Sequence, residues 1–200
     1  MTQSLLNSWL WTMKENPYET ADDAPKMSKL DEFMLTLNRD PIPTNEAMQN
    51  GIDFENLVVK AATGAPDYDH KWGAASLAAA EVVTGALFQF KASKEVDVQG
   101  MTLLLYGKFD ALKAGVIYDI KFSKSYESGK FIDSIQHPMY MELCPEAESF
   151  VYLISNGSNV YKETYRRDET ESILPTIKQF LTWLDTRSMI DLYKEKWLAL

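Results

Sequence analysis

The feature that most constrains this chain is a change of sequence pattern near residue 88. Before that point apolar residues recur at helical spacing, and after it come short segments rich in β-branched and aromatic side chains. Asn156-Gly157-Ser158 separates the last two of these segments, and Asn-Gly is a hairpin signal. Helices, a strand meander, a further helix and a hairpin predict an α/β domain with a mixed central sheet flanked by helices. The expected strands are 88–98, 101–112, 116–122, 149–155 and 159–166.

Apolar spacing also predicts the helices. The first contains Trp9, and the second contains Phe33 and ends before Pro41. Residues 16–26 are polar and include two prolines, so we expect a loop there. The remaining helices are expected at 45–63, 71–88, 130–143, 170–186 and 188–198.

Nothing in the sequence divides the chain into several domains, because it has no repeats, no low-complexity tract and no long linker. We therefore expect a single domain over 1–200. Its parts would be a mainly helical segment over 1–87, a sheet core over 88–166 and C-terminal helices over 167–200.

The cysteine and histidine content restricts the kinds of metal site. The chain has one cysteine, Cys144, and two histidines, His70 and His137. This excludes an intrachain disulfide framework and a four-cysteine iron–sulfur cluster, and it disfavours a structural zinc site. A bound metal would therefore depend mainly on oxygen ligands.

Charge and hydropathy bear on partners and location. The net charge is −9 and the pI is about 4.8, which argues against non-specific coating of nucleic acid. No run of about 18 apolar residues is present, so we expect no membrane span. The first residues form a helical pattern without a basic region before it, which disfavours a signal peptide and favours a cytoplasmic protein.

Two neighbouring expected strands carry a group of charged residues. Asp110 lies near the end of one strand, and Asp119 and Lys121 lie two residues apart on the next, so that they share a face. An even loop of two residues (114–115) or four (113–116) would place Asp110 directly opposite Asp119. The opposite face would be filled by Phe109, Ala111, Tyr118, Ile120 and Phe122.

Like charges placed opposite one another destabilise a sheet, so this arrangement calls for a reason. A divalent cation supplies one, because Mg²⁺ takes one or two carboxylates together with waters and substrate phosphate. Lys121 beside such a cation would orient the attacking water, help to deprotonate it, or stabilise charge on the phosphorane. The alternative is an exposed charged edge of the sheet, which is the ordinary interpretation of an isolated Asp-x-Lys.

Further short motifs lie on either side of this group. Gly51-x-x-x-Glu55 precedes it on the third expected helix, Gly107-x-x-Asp110 overlaps it, and Gln136-x-x-x-Tyr140 follows it. In this order the motifs resemble the RecB-type branch of the PD-(D/E)XK nucleases, which includes nuclease domains of recombination helicases, CRISPR-associated RecB-like exonucleases and phage exonucleases. The resemblance covers roughly residues 45–165 and is carried by the order and spacing of four short motifs.

The resemblance implies a restriction-endonuclease-like fold and a nuclease that hydrolyses DNA phosphodiesters with Mg²⁺ or Mn²⁺. It favours an exonuclease acting on linear DNA in phage or prophage recombination or end processing. Its catalytic residues would be Glu55, Asp110, Asp119 and Lys121. The metal ligands would be Glu55, Asp110, Asp119 and the backbone carbonyl of Ile120. Substrate contacts would come from Gln136 and Tyr140, to which Lys124 is added as a basic neighbour.

Two departures from the family pattern matter. Pro138 falls inside the Gln136-x-x-x-Tyr140 motif, and a helix beginning at His137 would leave Gln136 outside it. The cysteines of iron–sulfur relatives are absent, which favours a phage-type enzyme without a cluster. Open alternatives are a structure-specific endonuclease, a non-catalytic DNA-end-binding protein and a protein-binding module. Besides DNA, the expected partners are a single-strand-annealing or recombination protein and further copies of the chain.

Overall fold

The computed structural model describes residues 1–14 and 27–198. The predicted loop at 16–26 lies outside the described residues. The helices are α1 (Gln3–Met13), α2 (Lys29–Asn38), α3 (Glu46–Ala62), α4 (Gly73–Val83), α5 (Gln136–Leu143), α6 (Leu174–Thr186) and α7 (Ile190–Trp197). The strands are β1 (Leu87–Val98), β2 (Met101–Lys113), β3 (Val116–Phe122), β4 (Ser149–Ser155) and β5 (Val160–Arg166), and a short 3₁₀ helix follows at Arg167–Glu169.

The five strands form one mixed sheet in the order β1-β2-β3-β4-β5. β2 and β3 are antiparallel, β3 and β4 are parallel, and β4 and β5 are antiparallel. The parallel pair requires a crossover connection, which contains α5. The α/β class and the mixed sheet flanked by helices are therefore confirmed.

Three predicted helices were too long. The fourth, expected at 71–88, ends at Val83, because Gly85 adopts a left-handed conformation (φ 82°) and Leu87 already belongs to β1. The helix expected at 130–143 begins only at Gln136, and the residues before it form turns. The helix expected at 170–186 begins at Leu174, one residue before Pro175, which is accommodated in the first turn.

Contacts divide the chain into two compact units, each with its own core. Unit 1 comprises Met1–Pro43, Ser93–Tyr106 and Ser172–Leu200. Its centre is an aromatic cluster in which the ring of Phe33 lies 5.3 Å from that of Trp183 and the ring of Trp9 lies 5.3 Å from that of Phe180. Edge-to-face and tilted contacts of this kind add to the free energy of burial.

Unit 2 comprises Thr44–Ala92 and Gly107–Glu171 and contains all the predicted site residues. In its core, α3 and α4 pack on one face of the sheet, and the alanines of α4 permit close approach. Phe54 is fully buried there and fixes α3 over the strands. Because Glu55 follows Phe54, this packing also fixes where Glu55 leaves the helix. The buried cluster consists of Phe54, Val58, Ala75, Ala79, Ala80, Val83, Ala111, Ile120 and Leu153.

The connection between β2 and β3 is a two-residue turn. Ala114 (φ 48°) and Gly115 (φ 76°) both have positive φ, as a type I′ hairpin requires. The register pairs Ala111 with Tyr118, Leu112 with Ile117 and Lys113 with Val116. These three pairs follow the predicted register, and Asp110 and Asp119 are the next residues along β2 and β3 beyond the pair of Ala111 and Tyr118.

Across the described ranges, no helix has both the length and the apolar character needed to cross a membrane.

The turn gives a stability prediction. Ala114 bears a Cβ in the left-handed region, whereas asparagine is the preferred residue there in an Asn-Gly hairpin. We expect Ala114→Asn to raise the free energy of unfolding by about 1 kcal/mol, measured by urea denaturation. Gly115→Ala is the matched control and should lower the free energy of unfolding by a similar amount. Its added Cβ would meet no atom closer than 3.8 Å, so the change would reflect backbone conformation alone. A destabilised Ala114→Asn variant would contradict this account of the turn.

Candidate active site

The site is built by α3, β2, β3 and α5 of unit 2, and its centre is Asp119 on β3. This carboxyl is buried, with 3% of the residue exposed. Lys121 Nζ lies 2.7 Å from its Oδ2, and Gln136 Nε2 donates a hydrogen bond of 2.5 Å to its Oδ1. Oδ2 has the ion pair but no partner in hydrogen-bond geometry among the described residues. A buried carboxylate oxygen in this state retains capacity to accept a further cationic or hydrogen-bonding group.

Asp110 takes an unusual position between the two strands. Its Oδ2 accepts the backbone N–H of Ile120 at 2.8 Å, so that a side chain stands where a backbone carbonyl would continue the ladder. Burial, followed by the negative charges of Asp119 and Glu55, raises the pKa of Asp110 well above its ordinary value. The two aspartates are therefore close enough to act on each other.

The backbone carbonyl of Ile120 is expected on the same side of β3 as its N–H. In an antiparallel pair a residue directs its N–H and C=O to the same side, so the Ile120 carbonyl faces β2 along with the N–H that Asp110 accepts. This carbonyl oxygen is therefore an uncharged candidate ligand on the side of β3 that carries the bond to Asp110.

The predicted packing of the sheet face opposite Asp119 and Lys121 was wrong for one residue. Ala111 and Ile120 lie in the buried cluster with α3 and α4, and Tyr118 and Phe122 pack against that cluster. Phe109 does not join them, because its ring lies 4.9 Å from that of Tyr140 on α5. Phe109 and Ala111 are two residues apart and yet have different neighbours, so the regular alternation of β2 is not kept through Asp110.

Glu55 projects from α3 toward the same charges. Its carboxylate accepts a hydrogen bond from the side-chain amide of Gln89 on β1. Burial raises the pKa of Glu55, the positive charge of Lys108 acts in the opposite direction, and Asp119 adds to the rise. Sequence reasoning missed Gln89, because no motif links it to a residue 34 positions earlier.

Lys121 is held as an ammonium ion. Burial acts to lower its pKa, but the neighbouring carboxylate of Asp119, with Asp110 and Glu55 behind it, leaves the pKa raised. The side chain keeps 34% exposure, so it can reach a molecule arriving from solvent. In this arrangement Lys121 can neutralise negative charge on a bound group but is not a base.

Helix α5 begins at Gln136, so Pro138 does not leave Gln136 outside the helix. The proline falls in the first turn, where its missing N–H leaves no bond unmade. Gln136 thus reaches Asp119, and one turn later the Tyr140 hydroxyl donates a hydrogen bond of 3.2 Å to the backbone carbonyl of Lys108. Burial, with Asp119 and Asp110 adding to it, raises the pKa of Tyr140 to about 12, so this hydroxyl stays protonated.

The glycine of the Gly107-x-x-Asp110 motif has a steric explanation. A Cβ on Gly107 would lie 2.9 Å from Leu143 Cδ1 and 3.1 Å from Tyr140 Cε1, both on α5. Glycine at this position therefore allows α5 to pack directly on β2. No such explanation applies to Gly51, whose added Cβ would meet nothing within 4 Å.

A second polar network holds the segment that leads into α5. Glu163 on β5 is 9% exposed and accepts hydrogen bonds from the hydroxyls of Tyr126 and Tyr165 and from the backbone N–H of Phe131. Burial acts to raise the pKa of Glu163, but the bonds from Tyr165 and Tyr126 lower it overall. The carboxylate is thus ionised and anchors the turns that precede Gln136.

His137 belongs to this second network and not to the acidic cluster. Its ring stacks on Tyr165 with a centroid distance of 4.0 Å, and its Nδ1 lies 3.3 Å from the Tyr152 hydroxyl. Burial lowers the pKa of His137 to about 4, with Glu163 opposing the shift, so the imidazole is neutral near pH 7. Its contacts are those of a packing residue.

Lys124, a predicted substrate contact, lies near Glu46 at the start of α3. Its Nζ lies 3.8 Å from Glu46 Oε1, and both side chains are more than four-fifths exposed. Such an exposed pair contributes little to stability and leaves the lysine available to solvent.

The donors at the site match a hard divalent cation in kind. Asp110, Asp119 and the Ile120 carbonyl are oxygen donors, and the buried Oδ2 of Asp119 lacks a hydrogen bond among the described residues. Within the described ranges, however, no three histidine, cysteine, aspartate or glutamate side chains are arranged to hold a metal ion. The site therefore fits a cation bound by two carboxylates with waters and phosphate, while Glu55 is held by Gln89.

Comparisons with known proteins do not assign a family. No protein-family model matches the chain, and no curated protein matches it. Among solved structures, the crystal structure of SSO0001 is similar over 65% of this chain and 74% of that chain, with 17% identity and a TM-score of 0.44. At this level the likeness carries no argument about fold or function.

Proposed function

We propose that this protein is a metal-dependent nuclease that hydrolyses DNA phosphodiester bonds, with the restriction-endonuclease-like fold that its motifs imply. The observation that carries the proposal is the buried carboxylate of Asp119, contacted by Lys121 and Gln136 and lying beside Asp110. Three of the four short motifs, from separate parts of the sequence, supply these residues. Ordinary exposed sheet charges would not require a helix from the crossover connection to hydrogen-bond one of them.

Each residue has a distinct role in the proposed reaction. Asp110, Asp119 and the Ile120 carbonyl would hold Mg²⁺ or Mn²⁺, with Glu55 as an additional carboxylate. The bound ion would polarise the phosphate and acidify a water molecule. The Lys121 ammonium would bind a phosphate oxygen and stabilise the negative charge that develops there. Gln136 keeps Asp119 oriented, and the protonated Tyr140 braces α5 against β2 through its bond to the Lys108 carbonyl.

The specific role that we propose is exonuclease action on linear DNA in phage or prophage recombination or end processing, in the cytoplasm. It is supported by the motif resemblance and by the absence of a four-cysteine cluster from the sequence. Lys124 and further exposed lysines would contact the DNA backbone locally despite the net charge of −9. A recombination partner or a homo-oligomer is compatible with this role. Covalently closed circular DNA distinguishes it from an endonuclease, since an exonuclease leaves such a substrate intact.

One observation favours a second function, DNA-end binding without turnover. Lys121 is paired with Asp119, and no group of three acidic or imidazole ligands converges within the described ranges. A protein of this kind would bind DNA ends in the absence of divalent ions and would not cleave them.

Replacement of Lys121 tests the proposed chemistry. We expect Lys121→Ala to lower the Mg²⁺-dependent release of label from end-labelled linear DNA by about 100-fold or more, because one charge-stabilising donor is lost. Lys162→Ala is the matched control, since Lys162 is an exposed lysine on β5 and should leave the rate unchanged. Equal rates for the native protein and Lys121→Ala would remove the assignment. DNA-end binding by both, without cleavage, would establish the second function instead.

Replacement of Asp110 tests whether its negative charge destabilises the protein when no metal ion is bound. Its raised pKa means that the ionised carboxyl destabilises the metal-free fold at neutral pH. We expect Asp110→Asn, which retains an oxygen to accept the Ile120 N–H, to raise the melting temperature in EDTA by about 2–4 °C. The gain should shrink as the pH falls below the raised pKa of the folded state and disappear below about 3.9, where the carboxyl of the native protein is protonated in both the folded and unfolded states.

The same variant should lose the stabilisation by Mg²⁺ that we expect in the native protein, because one ligand of the ion is gone. Thermal unfolding with and without saturating Mg²⁺ measures both effects. A melting temperature that Mg²⁺ raises equally in the native protein and in Asp110→Asn would exclude Asp110 as a ligand.

A further inference from the structure

Lys130 lies in the turns between β3 and α5, and its exposed ammonium group is held at one position. Its Nζ donates hydrogen bonds to the Ser123 hydroxyl at 2.8 Å and to the Ser125 carbonyl at 3.0 Å. Both acceptors are uncharged, and Lys130 forms no ion pair with a carboxylate of residues 1–14 and 27–198. Because a lysine ammonium has three N–H donors, one remains for a further acceptor.

The backbone on either side of Lys130 is also held. The Glu163 carboxylate accepts the N–H of Phe131 at 3.0 Å and the hydroxyl of Tyr126 at 2.9 Å. These two bonds attach the segment to β5 both before and after Lys130. The positive charge is therefore fixed in space in the free protein, and ordering the lysine adds little to the entropy lost when a ligand binds.

The packing of Phe131 shows on which face of the sheet this segment lies. Its ring stacks on that of Tyr152 with a centroid distance of 4.3 Å. Tyr152 is the partner of Asp119 in the parallel register of β3 and β4, so the two side chains point to the same face. Lys130 is thus adjacent to a residue that packs on the face that carries Asp119.

Ser123 gives the same answer from the direction of β3. Its N–H donates to the Ser155 carbonyl at 2.9 Å, which extends the pairing of β3 and β4 one residue beyond Phe122. The ring of Phe122 lies 4.3 Å from that of Trp72, on the face covered by α3 and α4. By alternation Ser123 points to the other face, together with Lys121.

Two ammonium groups consequently follow one line of β3 residues. Lys121 Nζ lies 2.7 Å from Asp119 Oδ2, and Lys130 Nζ lies 2.8 Å from the Ser123 hydroxyl. Four residues of an extended strand span about 13 Å. Ammonium groups held near the two ends of this span suit two negative groups of one extended polyanion, such as phosphates one or two nucleotides apart.

We propose that Lys130 binds a backbone phosphate of the DNA strand whose scissile phosphate lies at Lys121, one or two nucleotides away. The inference rests on the proposed function, because that function supplies the DNA. A lysine binds phosphate as a compact charge, and a phosphate contact at a fixed point sets the register of the strand without reading its sequence. The bonds to Glu163 then have a role in the site, since they hold the segment that presents Lys130.

Removal of the charge tests the contact without any turnover. The affinity for a fluorescein-labelled DNA duplex is measured by fluorescence anisotropy in EDTA at several salt concentrations. We expect Lys130→Gln to bind about 10-fold more weakly at about 50 mM salt and to lower the slope of log K against log salt by about 0.9, the value for one lost phosphate contact. Lys130→Arg keeps the charge and should keep the slope.

Two further variants separate a fixed contact from general surface charge. Lys162→Gln removes the same charge from an exposed position on β5 whose partner Leu153 lies in the cluster under α3 and α4, on the opposite face. It should change neither the affinity nor the slope. Ser123→Ala keeps the charge but removes one of the bonds that position it, so we expect weaker binding with an unchanged slope.

The outcomes distinguish this inference from the proposed function. Equal affinity and slope for the native protein and Lys130→Gln, or an equal loss in Lys162→Gln, overturns the assignment of Lys130. Absence of DNA binding by the native protein in EDTA overturns it as well. In each case Mg²⁺-dependent release of label by the native protein still decides the proposed function, because that assay does not depend on Lys130.

Discussion

The bond between the Asp110 carboxylate and the Ile120 N–H is the interaction on which the site depends. It replaces a rung of the backbone ladder by a side chain, which lets β2 and β3 separate without leaving the N–H unsatisfied. The Asp119 carboxylate lies near this bond, close enough for its charge to raise the pKa of Asp110.

The remaining parts of unit 2 hold this opening in place from two sides. On one side Phe54 fixes α3 over the strands and so places Glu55, whose carboxylate accepts a hydrogen bond from Gln89. On the other side α5 packs closely on β2 at Gly107 and directs Gln136 to Asp119. Both helices are positioned by apolar burial, and the polar contacts add direction. The negative charges are tolerated because Lys121 and the amides of Gln89 and Gln136 surround them.

The parts of the site that could be predicted are those governed by short-range geometry. The two-residue turn and the period of two along a strand were enough to give the β2–β3 register and to place Asp119 and Lys121 on one face. Long-range contacts were not accessible in this way. Gln89 meets Glu55 through tertiary packing, and Glu163 binds Phe131 across a similar separation in sequence. The helix expected at 130–143 was too long for the same reason, since Glu163 holds the residues before Gln136 in turns. The predicted position of Phe109 was wrong because the side chains of β2 do not keep their regular alternation between the two faces of the sheet at Asp110.

The position of Glu163 late in the sequence has a consequence for how the protein matures. The turns that lead into α5 are held by this carboxylate on the edge strand β5, whereas the acidic cluster lies on strands made earlier. During synthesis on the ribosome, Asp110, Asp119 and Lys121 emerge before the residue that secures Gln136 beside them. The hydrogen bonds from Tyr126 and Phe131 to Glu163 can therefore form only after the strand that carries Glu163 has been synthesised.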